Sequence, residues 1–254
     1  MLNYRSALVL SFLIINGFLC FAQQDNGRIV EIFPYPLRKF AYISPRYDRL
    51  NLKNDLFSES YYIRFLATSK GNLHLKLDLP FGRTNATDDG NIDFGLQDVD
   101  FRFTQLLGRS ENFFYGYHVR FYFPTATQES LGSGKFQADP GAGFAYFFPG
   151  LKGSIVFAVD YRFSYLGDGS RPDISILGIA PNIDYWGNNW YIGYYPTYTY
   201  DFKNDIFDFP LDIEAGYFLT SAIVLSAEFI QPLLKTRTYE NEFSIKLRFS
   251  LFQK

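Results

Sequence analysis

The chain of 254 residues is long enough for one barrel or for one to two soluble domains, and its formal charge of −2 excludes the basic surplus of a nucleic-acid binder. Aromatic residues make up 20%, with 29 Phe and 20 Tyr against two Trp, more than a soluble domain of this length needs. Mean hydropathy is −0.10, and after residue 22 no apolar run approaches the ~20 residues of a membrane helix, so any membrane crossing is by strands.

Residues 1–22 read as a signal peptide. Arg5 supplies the positive n-region, Ala7 to Ile15 the apolar core, and Asn16-Gly17 the break. Cys20-Phe21-Ala22 offers small residues at the −3 and −1 positions, which places cleavage near Ala22. A transmembrane anchor would need a longer uninterrupted stretch. A lipoprotein would lipidate Cys20, but Leu19 sits where a small residue is wanted. Cleavage at Ala22 removes the only Cys and leaves no thiol for redox chemistry. Residues 23–36 are a tail or a short segment entering the lumen, and the barrel is expected over 37–254.

From residue 55 onward apolar residues recur with period two, the mark of strands with one apolar face. Leucines alternate with His74, Lys76 and Asp78 over Leu73–Leu79, and aromatics with Gly116, His118 and Arg120 over Phe113–Phe123. Ile155–Tyr165 carries Asp160 and Arg162 on its second face, and Phe209–Leu219 carries Asp212 and Glu214. In Phe243–Leu251 the apolar set alternates with Ser244, Lys246, Arg248 and Ser250. The alternation slips within Phe94–Phe103 and between Ile176 and Ile179, as a β-bulge would make it do.

Short connections near Ser69, Ser110, Leu151, Gly187 and Thr220 take turns with longer ones at Phe81–Asn91, Thr125–Asp139, Gly167–Pro172, Phe202–Asp208 and Leu234–Glu240. That alternation predicts an all-β antiparallel transmembrane barrel with short periplasmic turns and longer extracellular loops. Eleven strands are counted from the C-terminus to residues 57–68. An even number requires one more, within Leu37–Arg46, although Pro45 sits badly inside a ladder. Trp186 and Trp190, with Tyr185 and Tyr191, read as the periplasmic aromatic girdle.

The same alternation assigns the lumen-lining set: Arg64, Lys76, Asp78, Arg102, His118, Arg120, Asp160, Arg162, Asp212, Glu214, Glu228, Lys246 and Arg248. Both signs are mixed, which predicts neither a strong anion filter nor a strong cation filter. The charges either pair across the lumen and hold its shape, or line a pathway whose selectivity they tune. The loop Thr125–Asp139 leaves a strand at Pro124, and Gly132 and Gly134 permit a sharp return. It is expected to constrict the mouth, with Glu129 and Lys135 meeting the lumen and Phe136 packing on its wall. No catalytic motif surrounds His74 or His118, and no metal or phosphate-loop signature is present, so an enzyme, a metal site and a cofactor are not expected.

Phe123-Pro124-Thr125-Ala126-Thr127, followed by Leu131-Gly132 and Gly134-Lys135-Phe136, resembles the hallmark of the MetA-pathway-of-phenol-degradation family of outer-membrane transporters. Gly167-Asp168-Gly169-Ser170-Arg171-Pro172-Asp173 and the closing Leu247-Arg248-Phe249-Ser250-Leu251-Phe252 are similar to later landmarks of that family. The resemblance spans residues 57–254. It implies an outer-membrane channel or transporter for small molecules, aromatic or hydrophobic compounds among them. The implied partners are outer-membrane lipid, a small-molecule solute and the barrel-assembly machinery, and no nucleic acid. Two alternatives stay open: a structural or surface-interaction barrel with a closed lumen, and an outer-membrane lipid-modifying enzyme.

Overall fold

A computed structural model describes residues 40–68, 73–87, 89–148, 150–234 and 239–252. The expected signal peptide and the 23–36 segment lie outside the described residues. Twelve strands follow in chain order: β1 Phe40–Leu52, β2 Phe57–Thr68, β3 Leu73–Thr84, β4 in two stretches (Asp93–Leu96 and Val99–Arg109), β5 Phe113–Phe123 and β6 Lys135–Phe147. Then come β7 Gly153–Gly167, β8 Ser175–Trp186, β9 (Trp190–Tyr194 and Tyr198–Asp201), β10 (Ile206–Asp208 and Pro210–Phe218), β11 Ile223–Pro232 and β12 Tyr239–Phe252. Each pairs antiparallel with its sequence neighbours, and β12 pairs with β1. The sheet is therefore a closed barrel without free edges, the only sheet form whose backbone groups are all satisfied inside lipid.

Alternation turns this barrel inside out relative to a soluble one. In β12, Phe243, Ile245, Phe249 and Leu251 face outward and are exposed, while Ser244, Lys246 and Arg248 are buried within the ring. Asp78, Ser154 and Ser44 are likewise among the most deeply buried side chains. The outer surface carries Phe65, Leu75, Phe144, Ile183, Ile192, Leu225 and Phe229 in the open, an apolar band that suits hydrocarbon.

The first strand runs past the expected Leu37–Arg46 and ends at Leu52. Pro45 stands opposite Ile63 of β2, and on the β12 side the pairs that flank it, Ile43↔Phe249 and Arg46↔Lys246, keep one register, so the ladder is interrupted at the proline and not shifted. The slip expected within Phe94–Phe103 is a bulge. Asp78 faces Asp100 and Phe81 faces Leu96, so β4 spends one more residue than β3 there. The slip expected between Ile176 and Ile179 does not occur. β8 keeps one register against both β7 and β9, and Ile176 faces inward opposite Arg162 and Asp201. An apolar side chain on the lumen face produced the false signal.

The two ends differ less than expected in loop length. β1 and β2 are joined by a tight turn with Asn54 and Asp55 at φ 63° and 60°, and Phe202–Asp208 shrinks to a short turn with Asp205 at φ 55°. The Thr125–Asp139 loop is also shorter, since β6 starts at Lys135.

The paired girdle reading of Trp186 and Trp190 needs correction. Trp190 and Tyr185 are exposed on the outside with ring centroids 5.7 Å apart. Trp186 and Tyr191 face inward and are buried with Phe218 and Val224. Period two allows only one of two consecutive residues to face lipid. Phe147 stacks on Trp186 at 5.9 Å with planes 14° apart, and Phe114 meets Phe147 edge-on at 6.0 Å. The short-turn end of the lumen is thus filled by an apolar aromatic cluster.

Candidate functional site

Above that cluster lies a lumenal cavity of about 520 Å³. Of the thirteen residues assigned to the lumen, all but Arg162 and Arg248 line it. Arg162 instead lies over the ring of Tyr122 at 5.4 Å, and Arg248 over Tyr42 at 5.5 Å. The strand geometry also brings in Arg46, Asp48, Tyr62, Asn182, Tyr195 and Glu242. Sequence reading missed Arg46 and Asp48 because Pro45 obscured the Tyr42, Ser44, Arg46, Asp48 alternation. It missed Glu242 by starting the last strand at Phe243, four residues late.

Most of the charges are used against one another across strands. Arg64 grips Asp78 with two hydrogen bonds of 2.8 Å, donated from Nε and Nη2. Lys76 reaches Asp78 at 2.7 Å and Asp100 at 3.7 Å. Arg120 donates to Asp100 at 2.7 and 2.8 Å. A ladder Arg64–Asp78–Lys76–Asp100–Arg120 thereby ties β2 to β5. Bidentate guanidinium–carboxylate pairs of this kind are the strong, directional form of the interaction. A second group joins β1, β10, β11 and β12. Arg46 donates to Glu228 at 3.0 Å and to Ser244 at 3.1 Å, and Lys246 donates to Glu228 at 2.8 Å and also to Glu214. Tyr191 of the aromatic cluster donates its hydroxyl to Glu214. Thr68 and His74 are hydrogen-bonded at 3.0 Å.

The signs are not evenly mixed. β1 to β5 contribute Arg46, Arg64, Lys76, Arg102 and Arg120 to the cavity, against Asp48 and Asp78. β10 to β12 contribute Asp212, Glu214, Glu228 and Glu242, against Lys246. The lining therefore has a basic wall and an acidic wall. This arrangement of charge was not readable from alternation, which gives the face of each strand but not its place around the ring.

At the long-loop end, residues 124–134 leave β5 and make a single 3₁₀ turn, Glu129–Leu131. The loop packs on the lumen side. A Cβ added to Gly95, which shares the inward face of β4 with Asp93, would strike Thr127 and approach Leu131 Cδ1 at 3.6 Å. Asp98 accepts from Ser133 N and Oγ, both at 2.7 Å, and from Ala126 N at 3.3 Å. Arg171, from the next loop, donates to the Glu129 carbonyl at 2.8 Å and pairs with the Glu129 carboxylate at 2.8 Å. Three expected roles change. Glu129 is held outward by Arg171 and does not reach the cavity. Lys135 is buried but spends its ammonium on Asp173 at 3.2 Å, which holds that carboxyl below its ordinary value. Phe136 sits outside the barrel, in contact with Phe123 and Tyr165, because its strand parity is that of the lipid face. Gly132 and Gly134 lie in the loop as expected, with Gly134 at φ +67°.

Among the described residues no cluster of three or more His, Cys, Asp or Glu is arranged to hold a metal ion. The chain matches the family described as "Putative MetA-pathway of phenol degradation" over residues 44–176. The match begins inside β1, ahead of residue 57, and ends in β8, so the closing strand lies outside it. No curated protein matches the chain in sequence. Among solved structures, the COG4313 outer membrane channel from Pseudomonas putida F1 is similar with a TM-score of 0.68 at 16% identity, covering 84% of this chain and 94% of that one. The KdgM porin in complex with disordered oligogalacturonate gives 0.57 at 10%, covering 83% and 99%. The NanC porin gives 0.56 at 9%, covering 84% and 100%. At these identities the likeness is one of fold.

Proposed function

Since this chain belongs to the MetA-pathway-of-phenol-degradation family, we propose that it is an outer-membrane channel for small molecules. One observation carries the reading: a charged cavity of about 520 Å³ is enclosed by a wall whose outer face is apolar. A cavity of that polarity gives a solute what lipid denies it, and charged linings tune which solute passes. On this reading the signal peptide is removed near Ala22, the short-turn end faces the periplasm, and the barrel sits in outer-membrane lipid after insertion by the assembly machinery. Aromatic or hydrophobic cargo is the part of the proposal that the family name suggests. The eleven cavity-lining residues assigned from sequence form the pathway, and the loop 124–134 narrows its outer mouth.

A second reading, a barrel with a closed lumen, is favoured by the aromatic cluster around Trp186 at the inner end. Reconstitution into planar bilayers separates the two. Discrete conductance steps are the expected result; a folded, inserted protein without any step would support the closed barrel.

A further inference from the structure

Arg102 and Asp212 are oppositely charged residue types in the cavity that join neither pairing network; Asp160, which also lines the cavity without an ion pair among the described residues, lies near enough to feel the charge of Arg102. Arg102 lines the cavity, makes no ion pair among the described residues, and has a buried Nε with no hydrogen-bond partner. It is flanked in the ladder by Lys76 and Arg120, whose charges are committed to Asp78 and Asp100. Asp212 lines the same cavity, makes no ion pair among the described residues, and has a buried Oδ1 with no partner. Its inward neighbour on the strand, Glu214, is already bound by Lys246 and Tyr191. Arg102 belongs to β4 and Asp212 to β10, six strands away in either direction round the ring of twelve. The guanidinium and the carboxyl that lack ion pairs thus occupy opposite walls.

We propose that this cavity is a binding site for small zwitterions, taking the solute carboxylate at Arg102 and its ammonium at Asp212. The inference rests on the channel reading and names the solute class. Each unpartnered group lacks what the other end of such a solute supplies, and a charge left buried without a partner is costly. A simple anion would meet the basic wall but face Glu214, Glu228 and Glu242 behind it; a simple cation would meet the reverse. Low-dielectric walls focus the field between the two sides. A solute carrying both charges lowers its energy by aligning with that field, and one carrying a single charge gains on one side only.

Current block in planar bilayers and calorimetric titration of the folded barrel in detergent test this with four probes built on one four-carbon chain: γ-aminobutyrate, butyrate, butylammonium and butyramide. γ-Aminobutyrate should bind and block at least about tenfold more tightly than the other three, a difference of about 1.4 kcal/mol. Arg102→Gln and Asp212→Asn should each remove that advantage, and Arg102→Lys should keep most of it. Arg102→Gln should leave butylammonium no weaker, and Asp212→Asn should leave butyrate no weaker. Equal binding of γ-aminobutyrate and a singly charged probe would overturn the proposal, as would an unchanged preference in either neutral variant. Absence of conductance with zwitterion-selective binding intact would refute the channel and keep the site.

Discussion

Lys246 and Arg102 are both lumenal cations, yet their removal has different consequences. Lys246 is buried between Glu214 and Glu228, so Lys246→Met strands two carboxylates. Breaking a buried pair in this way costs about 3–5 kcal/mol. Arg102 makes no ion pair among the described residues, so Arg102→Gln breaks no such pair and should lower stability by less than Lys246→Met does. Urea titration of the barrel refolding into vesicles compares the two; equal midpoints would mean that the Lys246 pairs contribute nothing. On the other face of the same strand, Leu247→Arg puts a charge into hydrocarbon and should cost about 2–4 kcal/mol near the midplane. The sequence made the facing of Lys246 and Leu247 plain, because strict alternation from Phe243 to Leu251 leaves one register. It was silent on the partners of Lys246, which lie on β10 and β11 and meet it only when the ring is closed.

The loop between β5 and β6 was legible as an element and not as a set of contacts. Pro124 marked its start, and its glycines marked its sharp course. Its end was misplaced by several residues because Gln137-Ala138-Asp139-Pro140 lacks the bulky outward residues that signal a strand. Asp139 and Gln137 are inward and buried. What pins the loop comes from elsewhere: Asp98 at the bulge of β4, and Arg171 in the loop between β7 and β8. Arg171→Ala removes one of these two attachments. It should increase open-channel noise or mean conductance without changing the amount of folded protein, and identical traces would show that the loop does not limit passage. Orientation is tested at the same scale. Ser170 and Ser110 are exposed at opposite ends of the barrel. A Cys at Ser170 should react with an impermeant thiol reagent on intact cells, and one at Ser110 should not; the opposite pattern would invert the topology.

For the molecule as a whole, closure is the decisive property. β12 contacts β1 along most of its length, including Arg46↔Lys246 and Tyr47↔Ile245. A closed, fully hydrogen-bonded ring should resist detergent until heated, so unboiled protein should run at a different position on a gel from boiled protein and should fractionate with the outer membrane. Recovery as a soluble periplasmic protein would sink the assignment. The number of strands was readable because every membrane strand brings its own turn signal and its own alternation. The filling of the lumen was not readable. Leu106, Phe114, Trp186, Phe218 and Val224 are apolar residues at inward positions near one end. In sequence they look the same as residues meant for lipid, and only their parity relative to exposed neighbours such as Phe113, Tyr185 and Leu225 distinguishes them.

The turn joining β8 to β9 carries both tryptophans of the chain, and it sends them to opposite sides of the wall. Trp186 is 5% exposed inside the ring and Trp190 is 44% exposed outside it. Replacing Trp190 with Phe would leave one indole, packed against Phe147 at the short-turn end of the lumen. Its emission would report hydration there directly. A blue, collisionally shielded spectrum would signify a dry stopper, and a red shift on adding solute or voltage would time the arrival of water.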